Sequence, residues 1–379
     1  MKQPEEAAMA LRIVLAGGGT AGHINPMLAT ARQLREWGHE VTAIGTAEGM
    51  ESRLVPEAGI PFEVIPRVPF PRRPNADLFR FPVRYPRAIK RCKEILRRTN
   101  ADVAVGFGGY TSTPLYAAAR ALKVPFVIHE QNALPGLANR LGARHAAAVC
   151  LAFATTRLRA RNGTTQFVGL PLRPEIAKLA EDNDRSERRK AAAARFGLDP
   201  EMRTVVVTGG SLGAAHINEV VAENAEAFAE AEIQVLHLTG RGKDGPVRER
   251  VAGYEDYAVL EYLSEMEEAY AVADWVISRA GAGTVSEVCA LGIPAMFVPL
   301  PIGNGEQALN AKDAQEKGGS LLVKDEEFCA ESIALVVRTL HDPEQLERMR
   351  LAQRGISPRD GAYRLGRVIE EVAAEREAQ

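Results

Sequence analysis

Residues 11–23 read LRIVLAGGGTAGH, an apolar run followed by closely spaced glycines and a histidine. We interpret residues 11–16 as a buried strand and residues 17–22 as a turn, because glycines allow a chain to reverse tightly after a strand. The apolar spacing over residues 26–37 predicts an amphipathic helix, and residues 40–44 predict a second strand. A strand, a helix and a strand in this order form a βαβ unit with parallel strands.

The same pattern recurs along the chain and restarts in its second half. In the first half, strand-like runs separated by helical segments occupy residues 101–105, 124–129 and 147–151. Prolines and a charged run mark residues 169–195 as a connector. Beyond the connector, a helical pattern covers residues 215–229, and strand-like runs occupy residues 204–208, 234–239, 275–278 and 295–299. The sequence therefore predicts an α/β fold of two Rossmann-like domains facing a cleft.

Length and helix pattern set the predicted domain boundaries. A chain of 379 residues exceeds one ordinary core and favours two domains. We assign residues 1–170 to the first domain and residues 171–356 to the second. A last helical pattern covers residues 359–374, and we expect the segment 357–379 to cross back and complete the first domain. Ligands of open α/β sheets bind beyond the carboxyl ends of the strands, so we expect the functional residues in those loops.

Composition argues against several classes of function. Lys and Arg number 47 against 49 Asp and Glu, a formal charge of −2, which argues against a general nucleic-acid-binding protein. The four cysteines show no CxxC spacing, so we predict neither a zinc site nor a disulfide framework. No run approaches the roughly 18 apolar residues of a membrane span, and the polar start lacks a signal-peptide pattern. We therefore expect the chain to stay in the cytoplasm.

The glycine-rich loops indicate phosphate binding. Glycines let the backbone approach phosphate oxygens, and the amides at the following helix start point outward. Residues 17–22 have this arrangement, and residues 209–214, GGSLGA, repeat it in the second half. A dinucleotide site needs an acidic residue after the second strand, but Gly45, Thr46 and Ala47 stand there. We interpret the two loops as bringing two phosphate groups to one cleft, although either loop alone is also compatible with a simple tight turn.

A third element, residues 278–287, reads SRAGAGTVSE. Its small residues allow a close approach, Thr284 or Ser286 is expected to cap a helix, and Glu287 is expected in the first turn. The simpler interpretation of Glu287 is a carboxylate that complements the helix dipole. The alternative is that Glu287 accepts both ribose hydroxyls of a nucleotide.

Five motifs together resemble the MurG family of UDP-N-acetylglucosamine:muramyl-pentapeptide pyrophosphoryl-undecaprenol transferases, which have the GT-B fold of two Rossmann-like domains. The motifs are GGTAGH at residues 18–23, GFGGY at 106–110, HEQN at 129–132, GGSLGA at 209–214 and TVSE at 284–287. The resemblance spans nearly the whole chain. Any one motif is weak, but five in this order are specific.

The resemblance implies an inverting hexosyltransferase of peptidoglycan synthesis. N-acetylglucosamine would pass from UDP to the muramyl 4-hydroxyl of undecaprenyl-pyrophosphoryl-MurNAc-pentapeptide, with no cofactor or metal, at the cytoplasmic face of the cell membrane. The first domain would face the acceptor and the membrane, and the second would bind the UDP-sugar. Carried over by position, the residues around UDP-N-acetylglucosamine are Thr20, Ala21, Gly22, Asn132, Arg173, Ser211, Leu263, Ala282, Gly283, Thr284, Val285, Ser286, Glu287 and Gln307.

Transfer to an alcohol needs a base for the acceptor hydroxyl and positive charge near the departing UDP. His23 is the first candidate base, because imidazole titrates near pH 6.5 and this residue follows a phosphate-type loop at a helix start. The simpler alternative is a loop histidine that bonds the backbone. Glu130 is the second candidate base, whereas His129 is more simply a core histidine. Helix amides and Arg173 would supply the positive field.

A basic and aromatic segment at residues 67–98 predicts a membrane contact. It carries eleven basic and two acidic residues, a local charge of +9, and its prolines make one long core helix unexpected. Basic residues beside aromatic ones suit an anionic lipid surface, and the resemblance implies the same. A solvated basic loop is the alternative. The predicted membrane patch comprises Leu78, Phe79, Arg80, Phe81 and Arg84.

Two other functions fit the same two-domain frame. A UDP-N-acetylglucosamine 2-epimerase would bind the same donor without a lipid acceptor, but the basic segment argues against it. A non-catalytic nucleotide-sugar-binding subunit would have lost the base, whereas His23 and Glu130 are both present. Release of UDP only in the presence of the lipid acceptor would separate the three functions.

Overall fold

The computed structural model describes residues 10–68, 76–182, 184–210, 213–301 and 304–377; the side chains of residues 76–80 and 377 lie outside this description. The chain forms two compact units. Unit 1 comprises Met1–Arg173 with Asp360–Gln379, and unit 2 comprises Pro174–Arg359. Each unit is built around its own parallel sheet.

Unit 1 contains a seven-stranded sheet. Its strands are β1 (Arg12–Ala16), β2 (Glu40–Gly45), β3 (Phe62–Val64), β4 (Val103–Gly106), β5 (Phe126–Glu130), β6 (Ala148–Leu151) and β7 (Thr164–Phe167). They lie in the order β3-β2-β1-β4-β5-β6-β7, and every neighbouring pair is parallel. The strand order reverses between β1 and β4, which is where open α/β sheets bind ligands. The glycine-rich loops at residues 17–22 and 106–110 follow these two strands.

Helices cover both faces of the unit 1 sheet. They are α1 (Ala21–Glu36), α2 (Glu51–Glu57), α3 (Ala76–Arg98), α4 (Ser112–Ala121), α5 (Leu137–Gly142) and, from the end of the chain, α16 (Gly361–Glu377). Successive side chains of β1 point to opposite faces, as in any strand. Ile13 packs in the core that includes Leu365 and Ile369 of α16, whereas Val14 packs in the core that includes Leu115 of α4. The last helix is therefore part of the unit 1 core.

Unit 2 repeats this plan with six strands. They are β8 (Arg203–Thr208), β9 (Ile233–Leu238), β10 (Tyr257–Leu260), β11 (Trp275–Ser278), β12 (Ala295–Phe297) and β13 (Ser320–Leu322). Their order is β10-β9-β8-β11-β12-β13, again with parallel neighbours. The order reverses between β8 and β11, and the loops at residues 209–214 and 279–281 follow these strands. Both halves therefore place a glycine-rich loop at the reversal point.

The helices of unit 2 pack against its sheet, and one large apolar core lies between several of them and the strands. They are α6 (Pro174–Glu181), α7 (Ser186–Phe196), α8 (Ala215–Glu223), α9 (Ala225–Glu230), α10 (Asp244–Val251), α11 (Met266–Val272), α12 (Ala282–Leu291), α13 (Glu306–Glu316), α14 (Ala330–Leu340) and α15 (Pro343–Gln353), with a 3-10 turn at Asp325–Glu327. Val205 and Val207 of β8 enter the core beside Ile217 of α8 and Phe228 of α9. Trp275 of β11 is fully buried there.

Two predictions about the helices were wrong. The predicted connector at residues 169–195 is largely helical, because the alanine-rich α7 favours helix and ends at Gly197, whose φ of +70° suits a glycine cap. The single helix predicted over residues 215–229 is divided into α8 and α9 at Asn224. The sequence also gave no prediction of the four edge strands β3, β7, β10 and β13, which are only three or four residues long.

The basic segment contains one 23-residue helix, α3, contrary to the prediction that prolines would prevent it. Pro82 and Pro86 lie four residues apart, so the two missing amide donors fall on one face and the rest of the helix keeps its hydrogen bonds. Of the predicted membrane patch, Phe81 stacks on Tyr85 with ring centroids 5.1 Å apart, and Arg84 is half-buried. The side chains of Leu78, Phe79 and Arg80 lie outside the described residues. No helix in the described part of the chain is both long and apolar enough to span a membrane.

Candidate active site

The first glycine loop of unit 1 leads from β1 into α1. Gly19 has a φ of +89°, which glycine adopts without strain, and Thr20 is the N-cap residue of α1. The Thr20 side chain caps no amide of the helix. Its Oγ1 lies 3.0 Å from Nδ1 of His23 instead. The residue at the cap position therefore orients the candidate base, and α1 begins five residues earlier than its sequence pattern predicted.

The His23 ring is half-buried and lies against the second loop of unit 1. A Cβ atom added at Gly108 would lie 3.3 Å from Nε2 of His23, so only a glycine fits there without displacing the ring. Burial lowers the pKa of His23 from its ordinary value of 6.5, and a hydrogen bond with the Gly18 backbone partly offsets this effect. The imidazole is therefore neutral near pH 7 and able to accept a proton.

The loop at residues 106–110 packs directly on the first glycine loop. Gly108 and Gly109 have φ values of +85° and +75°. A Cβ atom at Gly109 would lie 2.7 Å from the carbonyl oxygen of Gly18, so the two backbones are in contact. Tyr110 approaches the first loop from the other side, because a Cβ at Gly19 would lie 3.1 Å from its ring.

Glu130, the second candidate base, already holds the loop that follows it. Its carboxylate is buried and accepts hydrogen bonds from the amides of Asn132 and Gly136 and from Nδ2 of Asn139, each at 3.0 Å. These three groups are all hydrogen-bond donors, so the carboxyl group of Glu130 has a structural task in holding the loop. His129 is fully buried beside it, bonds the carbonyl of Gly169, and has its pKa lowered by burial to about 4.

The other residues of unit 1 that were predicted to contact UDP-N-acetylglucosamine lie in or beside its loops. Ala21 and Gly22 open α1, where no preceding turn accepts their amide hydrogens. Asn132 is half-buried, and its carbonyl accepts a hydrogen bond from Oγ1 of Thr156 at 3.1 Å. Arg173 is half-buried at the end of unit 1.

In unit 2, the glycine loop after β8 leads into α8. Gly213 has a φ of +66°, and a Cβ atom there would lie 2.1 Å from the carbonyl oxygen of Thr239. No other residue type fits this position. Ser211, a predicted donor contact in the same loop, lies outside the described residues.

Helix α12 begins at Ala282 with Gly281 at its N-cap and no side-chain cap. The prediction that Thr284 or Ser286 caps the helix was therefore wrong, because both lie inside it. Glu287 lies in the second turn rather than the first, half-buried, and accepts a hydrogen bond of 3.1 Å from the Tyr270 hydroxyl. Because the effect of the helix dipole falls off within the first turn, the placement of Glu287 in the second turn weakens the simple dipole interpretation.

The other residues of unit 2 that were predicted to contact UDP-N-acetylglucosamine follow the carboxyl ends of its strands. Ala282, Gly283 and Thr284 carry the first amides of α12, while Val285 and Ser286 are buried. Leu263 follows β10 and is buried. Gln307 lies in the first turn of α13, and its Oε1 accepts a hydrogen bond from the Leu300 amide at 2.9 Å.

Three residues in these clusters were not singled out from the sequence. Tyr270 and Asn139 fix Glu287 and Glu130, and no local motif marks either of them. Glu51 follows β2 by six residues and binds the first glycine loop. The dinucleotide pattern concerns the residues directly after β2, whereas Glu51 lies at the start of the next helix, α2.

Two family models match the chain. The glycosyltransferase family 28 N-terminal domain matches residues 13–151, and the glycosyltransferase family 28 C-terminal domain matches residues 204–364. The chain belongs to glycosyltransferase family 28. It is therefore a glycosyltransferase, and the predicted hexosyltransferase class is confirmed.

Individual members of the family are similar over nearly the whole chain. A protein of Bifidobacterium adolescentis named "UDP-N-acetylglucosamine--N-acetylmuramyl-(pentapeptide) pyrophosphoryl-undecaprenol N-acetylglucosamine transferase" is 49% identical over 358 residues, covering 89% of this chain and 91% of that protein. The crystal structure of Acinetobacter baumannii MurG is 28% identical with a TM-score of 0.77, covering 95% of this chain and 99% of that one. The predicted resemblance and the predicted fold class are confirmed.

A UDP-GlcNAc 2-epimerase from Neisseria meningitidis has a TM-score of 0.69 at 13% identity, covering 97% of this chain and all of that one. At this identity the likeness shows a shared fold alone. The family models and the relative at 49% identity, not this fold, decide between the functions left open by the sequence.

Proposed function

We propose that this chain transfers N-acetylglucosamine from UDP-N-acetylglucosamine, with inversion, to the muramyl 4-hydroxyl of undecaprenyl-pyrophosphoryl-MurNAc-pentapeptide. Relatives between 46% and 50% identical carry this transfer in their names, which supports the donor, the acceptor and the reaction. Within the site, the supporting observation is the half-buried, neutral imidazole of His23 at the end of the first glycine loop.

In the proposed reaction, His23 accepts the proton of the acceptor hydroxyl. The oxygen of this hydroxyl then bonds to the anomeric carbon of the sugar. The bond between that carbon and the phosphate oxygen breaks, and UDP leaves with the electron pair. Attack from the face opposite the leaving group inverts the anomeric configuration. Because the base must be neutral before the step, the lowered pKa of His23 keeps it competent at pH 7.

Glu130 is the weaker candidate for the base. Three donors already bond its buried carboxylate, so proton uptake there would break bonds that hold residues 131–136. We propose that Glu130 shapes this loop, which contains the donor contact Asn132, and that His23 carries the proton.

The donor is proposed to bind through the glycine loop after β8 and the start of α12. The first amides of α12 and the positive end of its dipole suit a pyrophosphate, and Arg173 would add a full positive charge. Glu287 would accept the ribose hydroxyls, and the hydrogen bond from Tyr270 would hold its carboxyl group in place. Gln307 would contact the sugar. This arrangement supplies the positive field from the chain itself, so we expect activity to survive chelation of divalent ions.

We also propose that the protein acts as a peripheral protein at the cytoplasmic face of the membrane. Its acceptor carries a lipid, and α3 presents a strongly basic surface within unit 1. No nucleic-acid partner is proposed, since the whole chain has a formal charge of −2.

The test uses purified protein, UDP-N-acetylglucosamine and a short-chain, soluble analogue of the acceptor. We expect UDP and the disaccharide product to form together and only when the acceptor is present, with or without a chelator. Release of UDP or epimerised UDP-sugar without the acceptor would point to an epimerase instead.

Replacement of the base tests its assignment. His23→Ala is expected to lower kcat by roughly 10²-fold or more with little change in donor KM, because general base catalysis contributes about this much. His145→Ala, at an exposed histidine of the same unit, is the matched control and should retain full activity. If His23→Ala retains kcat while a folded Glu130→Gln loses it, the base is Glu130.

A further inference from the structure

Glu51 is a fully buried carboxylate beneath the first glycine loop. Three glycines leave room for its side chain. An added Cβ would lie 2.7 Å from its Oε1 at Gly18, 2.3 Å from its Cγ at Gly45, and 2.2 Å from its carboxyl carbon at Gly49. A side chain at any of these three glycines would collide with Glu51 where it now lies, so the glycines make space for its side chain.

The carboxylate of Glu51 connects two loops of unit 1. Its Oε2 accepts a hydrogen bond from the Gly19 amide at 3.2 Å, and its Oε1 accepts from the amide and the hydroxyl of Thr46 at 3.0 and 2.9 Å. The Thr46 hydroxyl gives its one hydrogen to Glu51, so the Tyr110 hydroxyl, 3.2 Å away, must donate to Thr46. One side of Glu51 therefore holds the first glycine loop, and the other holds the loop at residues 106–110.

Both loops contact His23. Gly19 precedes Thr20, whose hydroxyl lies 3.0 Å from the imidazole. Gly108, two residues before Tyr110, lies against the opposite part of the ring. The amides of Gly19 and Thr46 and the hydroxyl of Thr46 all donate to the buried carboxyl group of Glu51. A buried polar group is costly unless it is hydrogen-bonded, so loss of any of these bonds would disturb the loops that supply them.

We propose that Glu51 is a positioning residue for the transfer reaction, which fixes the two loops that hold His23 in its reactive orientation. The proposal rests on the proposed role of His23 as the base. It predicts that loss of either side of the Glu51 network lowers kcat by a larger factor than it raises the KM for UDP-N-acetylglucosamine, because most of the predicted contacts of this substrate lie in unit 2.

Two substitutions separate the two sides of the network. Glu51→Gln keeps the size of the side chain, and its one oxygen can still serve Thr46. Its NH2 group then faces the Gly19 amide, so the bond to the first glycine loop is lost. Thr46→Val removes the hydroxyl that links Glu51 to Tyr110, whereas Thr46→Ser retains it. We expect kcat to fall by roughly 10- to 100-fold in Glu51→Gln and Thr46→Val, and to recover in Thr46→Ser.

Glu57→Gln is the matched control, because Glu57 lies on the same helix and is exposed at the surface, where it pairs with Arg53. It should behave like the parent. Thermal unfolding and donor KM are measured for each variant to verify folding. If Glu51→Gln does not fold, the comparison of Thr46→Val with Thr46→Ser still tests the network, through its link to Tyr110.

A double-mutant cycle with His23→Ala decides whether Glu51 acts through His23. If it does, Glu51→Gln should have almost no further effect on the residual kcat of His23→Ala. An equal fold-loss in both backgrounds would overturn the inference while leaving His23 as the base. Full activity of His23→Ala alone would overturn both the proposed base and the role of Glu51.

Discussion

The hydroxyl of Thr20 lies 3.0 Å from Nδ1 of His23, although Thr20 occupies the cap position of α1 and would ordinarily bond a helix amide. The cap is therefore used to orient an imidazole. The amides at the start of α1 are left without a side-chain acceptor, which keeps them available to a ligand.

Loss of the Thr20 hydroxyl should weaken catalysis more than folding. Thr20→Val is expected to lower kcat by roughly tenfold, because one hydrogen bond that orients the base is lost and about 1.4 kcal/mol corresponds to a tenfold change. Thr20→Ser keeps the hydroxyl and should retain most activity. Steady-state kinetics with the soluble acceptor measure both. Equal kcat in Thr20→Val and the parent would show that the contact has no role in turnover.

The pH dependence of kcat should report the His23 imidazole. Burial lowers the pKa of His23 below 6.5, and the proposed base works only when neutral. Activity should therefore be intact above pH 6.5 and fall as the pH drops through the lowered pKa, with a midpoint below 6.5. Residual activity of His23→Ala should lack this limb. An acidic limb of the same midpoint in His23→Ala would assign it to another group.

Glu287 offers a test of donor recognition. Glu287→Ala should raise the donor KM by roughly 10- to 100-fold, because a charge-assisted contact with ribose contributes about 1.5 to 3 kcal/mol. Tyr270→Phe removes the hydrogen bond to Oε2 of Glu287 and should raise the KM for UDP-N-acetylglucosamine by a smaller factor. Acceptor KM serves as the internal control. A donor KM that Glu287→Ala leaves unchanged would return Glu287 to a purely structural role.

The repeated strands and glycine loops made the fold predictable. Buried central strands such as β8 and β11 contain continuous apolar runs, which show directly in the sequence. The edge strands were missed because they are short and only partly buried, as in β7. Helix α3 was not expected because it contains Pro82 and Pro86, although the two prolines remove only their own amide donors.

The loop motifs located the candidate site, but not the contacts within it. Thr20 and His23 are three residues apart, so their pairing follows from one helical turn. Glu51 and Gly19 are 32 residues apart and meet only because β1 and β2 are neighbours in the sheet. The three groups that donate to Glu130 likewise reach it only once the loop after β5 has folded. Contacts between residues this far apart in the sequence can be assigned only from the folded structure.

Two buried histidines predict a loss of stability in acid. Burial lowers the pKa of His129 to about 4 and that of His237 to about 3, whereas both titrate near 6.5 when unfolded. Their contribution is complete above pH 6.5 and is lost as the pH falls towards these values, because the unfolded chain takes up protons first. Thermal midpoints should therefore fall steeply between pH 6.5 and 4. His129→Gln should show a shallower fall, and equal slopes would contradict the assignment.

Membrane docking is predicted to depend on the exposed side of α3. Arg87 and Lys90 are exposed there beside Val83, whose side chain is 55% exposed, while Ala88 and Cys92 are buried on the opposite side. Each basic residue near an anionic bilayer contributes on the order of 1 kcal/mol. Arg87→Glu with Lys90→Glu should therefore weaken binding to anionic vesicles by at least roughly tenfold, and binding of the parent should fall with added salt.

The matched control for this charge reversal is Lys190→Glu with Arg348→Glu, which makes the same change of charge at exposed positions of unit 2. We expect it to float with vesicles like the parent. Phe79→Ser with Phe81→Ser should also weaken binding, through loss of apolar contact rather than charge. Because the chemistry is separate from docking, both α3 variants should lose activity on the long-chain acceptor and keep it on the soluble analogue. Parent-like flotation of both α3 variants would place the membrane contact on another surface, and equal loss on both acceptors would place α3 in catalysis instead.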